Sequence, residues 1–170
     1  EWMLTHRDKI RDKEKQREHR WELNQPVFTR FFRIIPQEVS RQLKVSYQIK
    51  GKDIFLSIPS DKIHPKALED ILVSFITAVY GMECRQWLPG KVQSLAEQHG
   101  FSYRRLSFRN NRSNWGSCSF RNDISLNVQL MKLPESVVDY VILHELCHTV
   151  EKNHSSRFWA LMGKVCPEYP

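Results

Sequence analysis

Two short stretches of alternating apolar and polar residues, 45–50 and 53–58, follow each other early in the chain. They flank Gly51-Lys52, and this arrangement predicts a β-hairpin. From Pro65 onwards the apolar residues recur with the helical period instead, which predicts a helix with a wide apolar stripe. Pro89 is expected to break or kink this helix, and a shorter helix then continues to Gly100.

Three stretches in the second half of the chain also alternate between apolar and polar residues. They are residues 103–109, with Leu106 and Phe108 on one face, and residues 118–120 and 124–128. Turn-forming residues separate the three stretches. The pattern therefore predicts a small antiparallel sheet.

The last part of the chain has the helical period again. Pro134 suits the first turn of a helix, and the pattern extends this helix to about Asn153, with Val150 among its buried residues. Asn153 is expected to end the helix in the left-handed conformation. Ser155 can cap a final helix that begins directly after it.

The helix predicted after Pro134 carries the sequence His-Glu-Leu-Cys-His at residues 144–148. His144 and His148 lie one turn apart on the same face, so both imidazoles can reach a single metal ion. Glu145 is the usual non-ligand carboxylate that activates the water on such a metal. His154, just past the helix, can supply a third nitrogen. Three nitrogens and one open position describe a catalytic zinc (Zn2+) site rather than a closed structural site.

The third ligand has two competitors in the sequence. Glu151 lies on the same helical face as the first two histidines, and Glu168 is a carboxylate farther along the chain. Cys147 lies inside the motif but on a different face, which favours a small buried core residue over a ligand. His154 is the predicted third ligand, with both carboxylates left open.

The predicted site suits the hydrolysis of peptide bonds. Zinc lowers the pKa of its bound water to roughly 7, and Glu145 can take the proton and pass it to the leaving group. The same groups could hydrolyse a phosphoanhydride, which makes a metal-dependent nucleoside triphosphate pyrophosphatase the alternative. In that alternative the phosphates are held by Arg104, Arg105, Arg109 or Arg112. A third hypothesis is a nucleic-acid-associated protein whose zinc is structural.

The net charge of +7 is unevenly distributed. Residues 98–122 contain five arginines and no acidic residue, and aromatic residues are interleaved with them. A basic and aromatic segment can bind nucleic acid or phosphate, so residues 104–121 are a candidate contact surface. The alternative interpretation is a solvated strand face.

Residues 1–23 are dense in charges of both signs and predict an exposed helix. Residues 26–170 then form one metallohydrolase domain, with the metal site in its second half, 101–170. Because the chain begins with Glu1 rather than Met, we expect a fragment of a longer protein.

The four cysteines form no CxxC pair, which favours a reduced, cytoplasmic compartment. The longest nearly apolar stretch, 71–82, is too short to predict a membrane span.

Several stretches around the motif resemble the YgjP-like metallopeptidase family, a group of small bacterial zincins related to the SprT-like and WLM proteases. They are Asn-Trp-Gly-Ser-Cys-Ser at 114–119, Ile-Ser-Leu-Asn at 124–127, Leu-Pro at 133–134, Asp-Tyr-Val-Ile-Leu-His-Glu-Leu-Cys-His at 139–148, Asn-His-Ser at 153–155 and Phe-Trp at 158–159. The resemblance covers about residues 85–170, and residues 1–84 match loosely. It implies a peptide or protein substrate, zinc ligation by His144, His148 and His154, and Glu145 as the catalytic base.

The resemblance also implies an α+β, zincin-like fold, with a small mixed or antiparallel sheet packed on the HExxH helix and further helices around it. In zincins an edge strand beside this helix pairs with extended substrate, so Trp115, Gly116 and Ser117 are candidate substrate-binding residues. A glycine there allows close approach of the backbone, whereas Trp115 suits either the cleft floor or the core. The family usually has Arg where this chain has Asn114, and Arg112 is a candidate substitute.

Overall fold

The structure is a computed structural model that describes residues 22–167. The charged helix predicted for residues 1–23 therefore lies outside the described residues, apart from Glu22 and Leu23, which are not helical. The described part of the chain contains two small sheets and three α-helices around one apolar core. The predicted α+β class is confirmed. The predicted domain boundaries stay a prediction.

The first sheet has four strands in the order β1-β2-β4-β3. They are β1 (Val27–Phe28), β2 (Arg33–Val39), β3 (Ser46–Lys50) and β4 (Asp53–Pro59). β3 and β4 form the predicted hairpin, in which Gly51 has the positive φ of 62° that a tight turn requires. β2 pairs with β4 in parallel, and the sequence pattern did not predict β1 or β2.

The long helix α1 extends over Pro65–His99 without interruption. The expected break at Pro89 is wrong, since Pro89 lies inside a continuous helix, whereas a kink at Pro89 stays a prediction. A proline in a helix interior costs about 3 kcal/mol or more. Leu88 and Val92, on either side of it, are fully buried, and each such side chain contributes roughly 1.5–3 kcal/mol. Burial on both sides of the proline therefore offsets its cost.

The second sheet has three strands in the order β5-β7-β6: β5 (Arg105–Arg109), β6 (Gly116–Cys118) and β7 (Asp123–Asn127). It is a mixed sheet, because β5 pairs with β7 in parallel while β6 pairs with β7 antiparallel. The antiparallel pairing predicted from the alternating pattern is therefore wrong for β5, whereas the fold implied by the family resemblance, which included a mixed sheet, is confirmed. The middle strand was also predicted two residues too late. Phe120, assigned to it, is 87% exposed in the turn that follows.

Two shorter α-helices follow the second sheet, α2 (Glu135–Cys147) and α3 (Ser156–Val165). The predicted cap of α3 is present, since the hydroxyl of Ser155 accepts a hydrogen bond from the main-chain N–H of Phe158. The predicted end of α2 is wrong. The helix stops at Cys147, Val150 is 61% exposed, and Asn153 does not have a positive φ.

The core lies between the helices and the inner faces of the two sheets. Ile124 and Leu126 of β7 and Val138, Ile142 and Leu146 of α2 all belong to it. The helix with the candidate metal motif is thus held against the second sheet by apolar packing, and its last turn, Leu143 to Cys147, is buried. Among residues 22–167, no helix is both long and apolar enough to cross a membrane.

Candidate metal centre

The three histidines of the predicted site occupy different local structures. His144 lies in the last turn of α2, and His148 is the residue that caps this helix. The chain then turns through hydrogen bonds from the N–H groups of Val150 and Glu151 to the carbonyl of Cys147. This tight turn returns the chain toward the helix end, so His154 arrives beside the other two just before α3 begins.

The Nε2 atoms of these histidines converge on one point. The distance is 3.2 Å between His144 and His148, 3.1 Å between His148 and His154, and 3.0 Å between His144 and His154. A tetrahedral zinc with Zn–N bonds of about 2.0–2.1 Å holds its nitrogens about 3.3 Å apart. Within the described residues, this trio is the one group of three or more His, Cys, Asp or Glu with metal-binding geometry. The donor set therefore fits a divalent cation that binds imidazole.

The imidazoles are also kept in the neutral form that binds metal. Burial, with smaller effects from His148 and His154, lowers the pKa of His144 from 6.5 to about 3. Burial also lowers the pKa values of His148 and His154. Nδ1 of His148 lies 2.9 Å from the carbonyl oxygen of Glu151, an acceptor that places the ring proton on Nδ1. Nε2 of His148 then keeps a lone pair for the ion.

Aromatic side chains of α3 support the three rings. Phe158 is fully buried and stacks on His148 with ring centroids 4.5 Å apart, and its edge contacts His144 and His154. Trp159 stacks on His154 at 5.7 Å. In the sequence, the Phe-Trp pair contributed only to the family resemblance, and its packing against the three histidine rings was not predicted. A signal was present, because two adjacent aromatic residues lie in the first turn of the final helix, four and five residues after a candidate ligand.

Glu145 is buried on the side of α2 that faces the second sheet. It lies against Gly116 of β6, where a Cβ atom would lie 2.7 Å from both Cγ and Oε1 of Glu145. Real Cβ atoms essentially never approach other atoms so closely. Glycine at residue 116 therefore provides the space that the carboxyl group of Glu145 occupies.

Burial raises the pKa of Glu145 from 4.5 to about 8. The folded, metal-free protein therefore binds more protons at Glu145 than the unfolded chain does between pH 4.5 and 8. The free energy of unfolding must then fall as the pH rises through this window. His144 acts in the opposite direction at lower pH, because its lowered pKa makes the folded state lose stability as the pH falls from 6.5 toward 3.

Glu145→Gln is expected to remove this pH dependence from the metal-free protein. The stability of the variant relative to the wild type should increase by on the order of 3 kcal/mol between pH 5 and pH 8. Urea unfolding of both metal-free proteins at pH 5, 6.5 and 8 measures the difference, and the contribution of His144 cancels. A stability difference that does not change with pH would contradict a buried, protonated Glu145.

A buried asparagine organises the loop before β6. The side-chain amide of Asn127 donates to the carbonyl oxygens of Asn111 and Asn114 at 2.7 and 2.9 Å. Its main-chain N–H donates to the carbonyl of Trp115. Asn127 therefore fixes the segment that leads to Gly116. The sequence motif at 124–127 does not predict this role of Asn127, because the role depends on contacts with residues more than ten positions away.

The competing ligands do not join the histidines. The carboxylate of Glu151 forms an ion pair with Arg157 at 3.4 Å, and Glu168 lies outside the described residues. Cys147 is fully buried, with Sγ 3.8 Å from Sδ of Met162. Cys147 therefore occupies the core position predicted for it.

The predicted substrate-binding residues lie along one edge of the second sheet. β6 is an edge strand whose partner is β7, so Gly116 and the exposed Ser117 lie at the border of the sheet beside α2. Trp115 is half-buried and packs against the core. Arg112 is exposed in the preceding loop, without an ion pair among the described residues. These four positions stay predictions.

Three of the arginines of residues 104–121, Arg104, Arg105 and Arg109, do not form one anion-binding cluster at the histidines. Arg104 forms two hydrogen bonds with the carboxylate of Asp123, so its charge is already paired. Arg105 and Arg109 lie at the two ends of β5, and β5 is on the opposite edge of the sheet from β6. These three arginines therefore give no specific support to phosphate binding at the histidines, and phosphate binding by Arg112 stays a prediction.

Comparison with known proteins places the chain next to metallopeptidases. Residues 1–170 match a family described as YgjP-like, metallopeptidase domain. The match thus includes residues 1–84, where the motifs alone gave a loose resemblance. A similar solved structure is the crystal structure of the metallopeptidase zymogen of Pyrococcus abyssi abylysin. It is 26% identical, with 45% of this chain and 76% of that chain covered and a TM-score of 0.41. No curated protein matches the chain.

Proposed function

The chain belongs to the YgjP-like metallopeptidase domain family, and from this premise we propose that it is a zinc-dependent peptidase with Glu145 as its general base. The observation that carries the proposal is the convergence of three Nε2 atoms within 3.2 Å of one another. The buried carboxyl group of Glu145 directly follows the first of these histidines in the sequence. His144, His148 and His154 would hold the ion. Three neutral imidazoles favour zinc among the common divalent cations of hydrolases.

Zinc bound there would supply a water molecule of lowered pKa and a Lewis acid for the scissile carbonyl. Glu145 would take the proton of the attacking water and deliver it to the leaving amine. The position of its carboxyl group is fixed by burial and by the close approach of Gly116. The positive charge of an ion would favour the ionised form of Glu145, which burial alone disfavours.

The edge of β6 offers a surface for an extended peptide. Ser117 lies opposite Ser125 of β7, and hydrogen bonds join the pairs Trp115–Asn127 and Ser119–Asp123 on either side. In an antiparallel ladder the intervening residues, Gly116 and Cys118, then direct their main-chain N–H and C=O groups toward the open edge. A substrate strand could pair with these groups beside Glu145. The side chain of Asn114 donates to the carbonyl of Gly116 at 3.1 Å and would have to move.

Removal and restoration of the metal tests this function. Purified protein is treated with a chelator and assayed on a labelled unfolded protein and on a nucleoside triphosphate, before and after addition of one equivalent of Zn2+. We expect cleavage of the unfolded protein to disappear with the chelator and to return with zinc, with no metal-dependent nucleotide hydrolysis in either state. Metal-dependent hydrolysis of the nucleotide alone would replace the peptidase with the pyrophosphatase. Chelator-resistant proteolysis would exclude a metal mechanism.

A further inference from the structure

Lys152 lies on the five-residue segment between His148 and His154, and its side chain leaves this segment to contact the second sheet. Its Nζ donates to the carbonyl oxygen of Ser119 at 3.0 Å and to the side-chain oxygen of Asn122. It also lies 3.9 Å from Sγ of Cys118, the last residue of β6. Lys152 thus connects the chain before the third histidine with the end of the edge strand.

The acceptors of Lys152 belong to a well-defined turn, residues 119–122, between β6 and β7. The hydroxyl of Ser119 accepts from the N–H groups of Arg121 and Asp123, and the N–H of Asn122 donates to the carbonyl of Ser119. Asn122 has a φ of 61°, in the left-handed region. The turn is therefore held by its own hydrogen bonds and presents two oxygen atoms in fixed positions.

The contact differs from that of an ordinary surface lysine. Lys152 is half-buried, and among the described residues it forms no ion pair. Neutral oxygen atoms therefore hold its ammonium group, as charge-assisted hydrogen bonds that are stronger than those between neutral groups. Holding the lysine side chain in this position costs conformational entropy, and a lysine that only increases solubility would keep that entropy by staying in the solvent.

The two structures that Lys152 joins are both next to the metal centre. On one side, residues 149–153 determine where His154 begins its approach to the other two Nε2 atoms. On the other side, β6 carries Gly116, which lies against Glu145. We propose that Lys152 is a positioning residue that couples the third metal ligand to the edge strand. This inference rests on the proposed function in that His154 is a ligand, and its expected effect on KM also rests on peptide cleavage.

The first test replaces the ammonium group in the intact chain. Lys152→Met keeps the length and apolar stem of the side chain and is expected to weaken zinc affinity about tenfold, at the low end of the range for groups that orient metal ligands. We also expect KM for a peptide to rise at least threefold with a smaller change in kcat, because β6 loses its support. Zinc affinity is measured by competition with a chromophoric chelator, and the absorption spectrum of the Co2+-substituted protein reports on ligand geometry.

Two further variants serve as controls. Lys164→Met removes an exposed lysine of α3 and should leave zinc affinity, KM and the Co2+ spectrum unchanged. Lys152→Arg retains donors for both oxygen atoms and should restore most of the lost affinity. A structural role alone would lower the melting temperature of the metal-free protein without changing the Co2+ spectrum.

The second test removes an acceptor. Asn122→Gly preserves the left-handed backbone and deletes the oxygen that Lys152 contacts. It should reproduce part of the loss in zinc affinity, and the double variant with Lys152→Met should be no weaker than Lys152→Met alone. If Lys152→Met does not fold, the zinc affinity of Asn122→Gly decides. Wild-type zinc affinity in Lys152→Met would overturn the inference. If only Asn122→Gly folds, wild-type zinc affinity in that variant would overturn it. So would full additivity in the double variant. A wild-type protein that binds no zinc would instead refute the proposed function.

Discussion

Exchange of Glu145 for glutamine is expected to reduce kcat for peptide cleavage by about 10²–10⁴-fold, the usual contribution of a positioned general base. The amide cannot accept the proton of the attacking water. It has nearly the shape of the protonated carboxyl group, so it can occupy the same space beside Gly116. Zinc content should stay at the wild-type level because Glu145 is not one of the three converging donors. Steady-state kinetics and metal analysis of the same samples check both expectations.

Glu97→Gln is a matched control for this variant. Glu97 is an exposed glutamate of α1 that accepts a hydrogen bond from Gln93 and does not contact the metal centre. Its exchange should leave kcat, KM and zinc content unchanged. Glu145→Gln with wild-type turnover would remove Glu145 from the mechanism, whereas loss of zinc together with turnover would make Glu145 a ligand rather than a base.

The centre of the site could be predicted from the sequence because its first two histidines are related by local geometry alone. A helix places residues i and i+4 on one face, so His144 and His148 required no knowledge of the rest of the fold. To predict His154 as the third ligand, it was enough to assume a short turn that brings the chain back to the end of the helix. The structure makes this return earlier than predicted, because α2 ends at Cys147 and not near Asn153. The sequence pattern extended the helix since Val150 continues the apolar period, yet Val150 is exposed.

The surroundings of the site could not be predicted because they depend on contacts between distant segments. Gly116 reaches Glu145 across 29 positions of the chain, and Lys152 reaches the turn at Ser119 across 33. Alternation of apolar residues predicts that strands exist, but it does not predict which strands pair or in which direction. The parallel pairing of β5 with β7 is the clearest example, because the alternating pattern predicted an antiparallel sheet.

Pro89 shows a related limit of local reasoning. The proline predicts an interruption when only its backbone is considered, and the prediction failed because Leu88 and Val92 are buried on the same continuous helix. Tertiary packing thus outweighed a local preference. The hairpin at Gly51 was predicted correctly because there the local preference and the packing agree: Ile54, Leu56 and Ile58 of β4 alternate into the core directly after the turn.

Replacement of His154 by alanine is expected to weaken zinc binding by more than the 10–100-fold loss that is typical of residues that only orient ligands. The variant would retain two of three nitrogen donors, His144 and His148, which are held by α2 and by the ring of Phe158. Peptide cleavage should fall with zinc occupancy and recover partly at high zinc concentration. Equilibrium competition with a chelator of known affinity measures the change.

Glu151→Ala is the informative comparison, because Glu151 was the closest competitor for the third position. Its carboxylate is paired with the exposed Arg157, and its main-chain carbonyl, which accepts from His148, is kept in the alanine variant. Zinc affinity should therefore change by less than about threefold, consistent with the small energy of a partly exposed ion pair. If Glu151→Ala lost zinc while His154→Ala retained it, the ion would be held by two imidazoles and a carboxylate. His154 would then be a residue of the cleft and not a ligand.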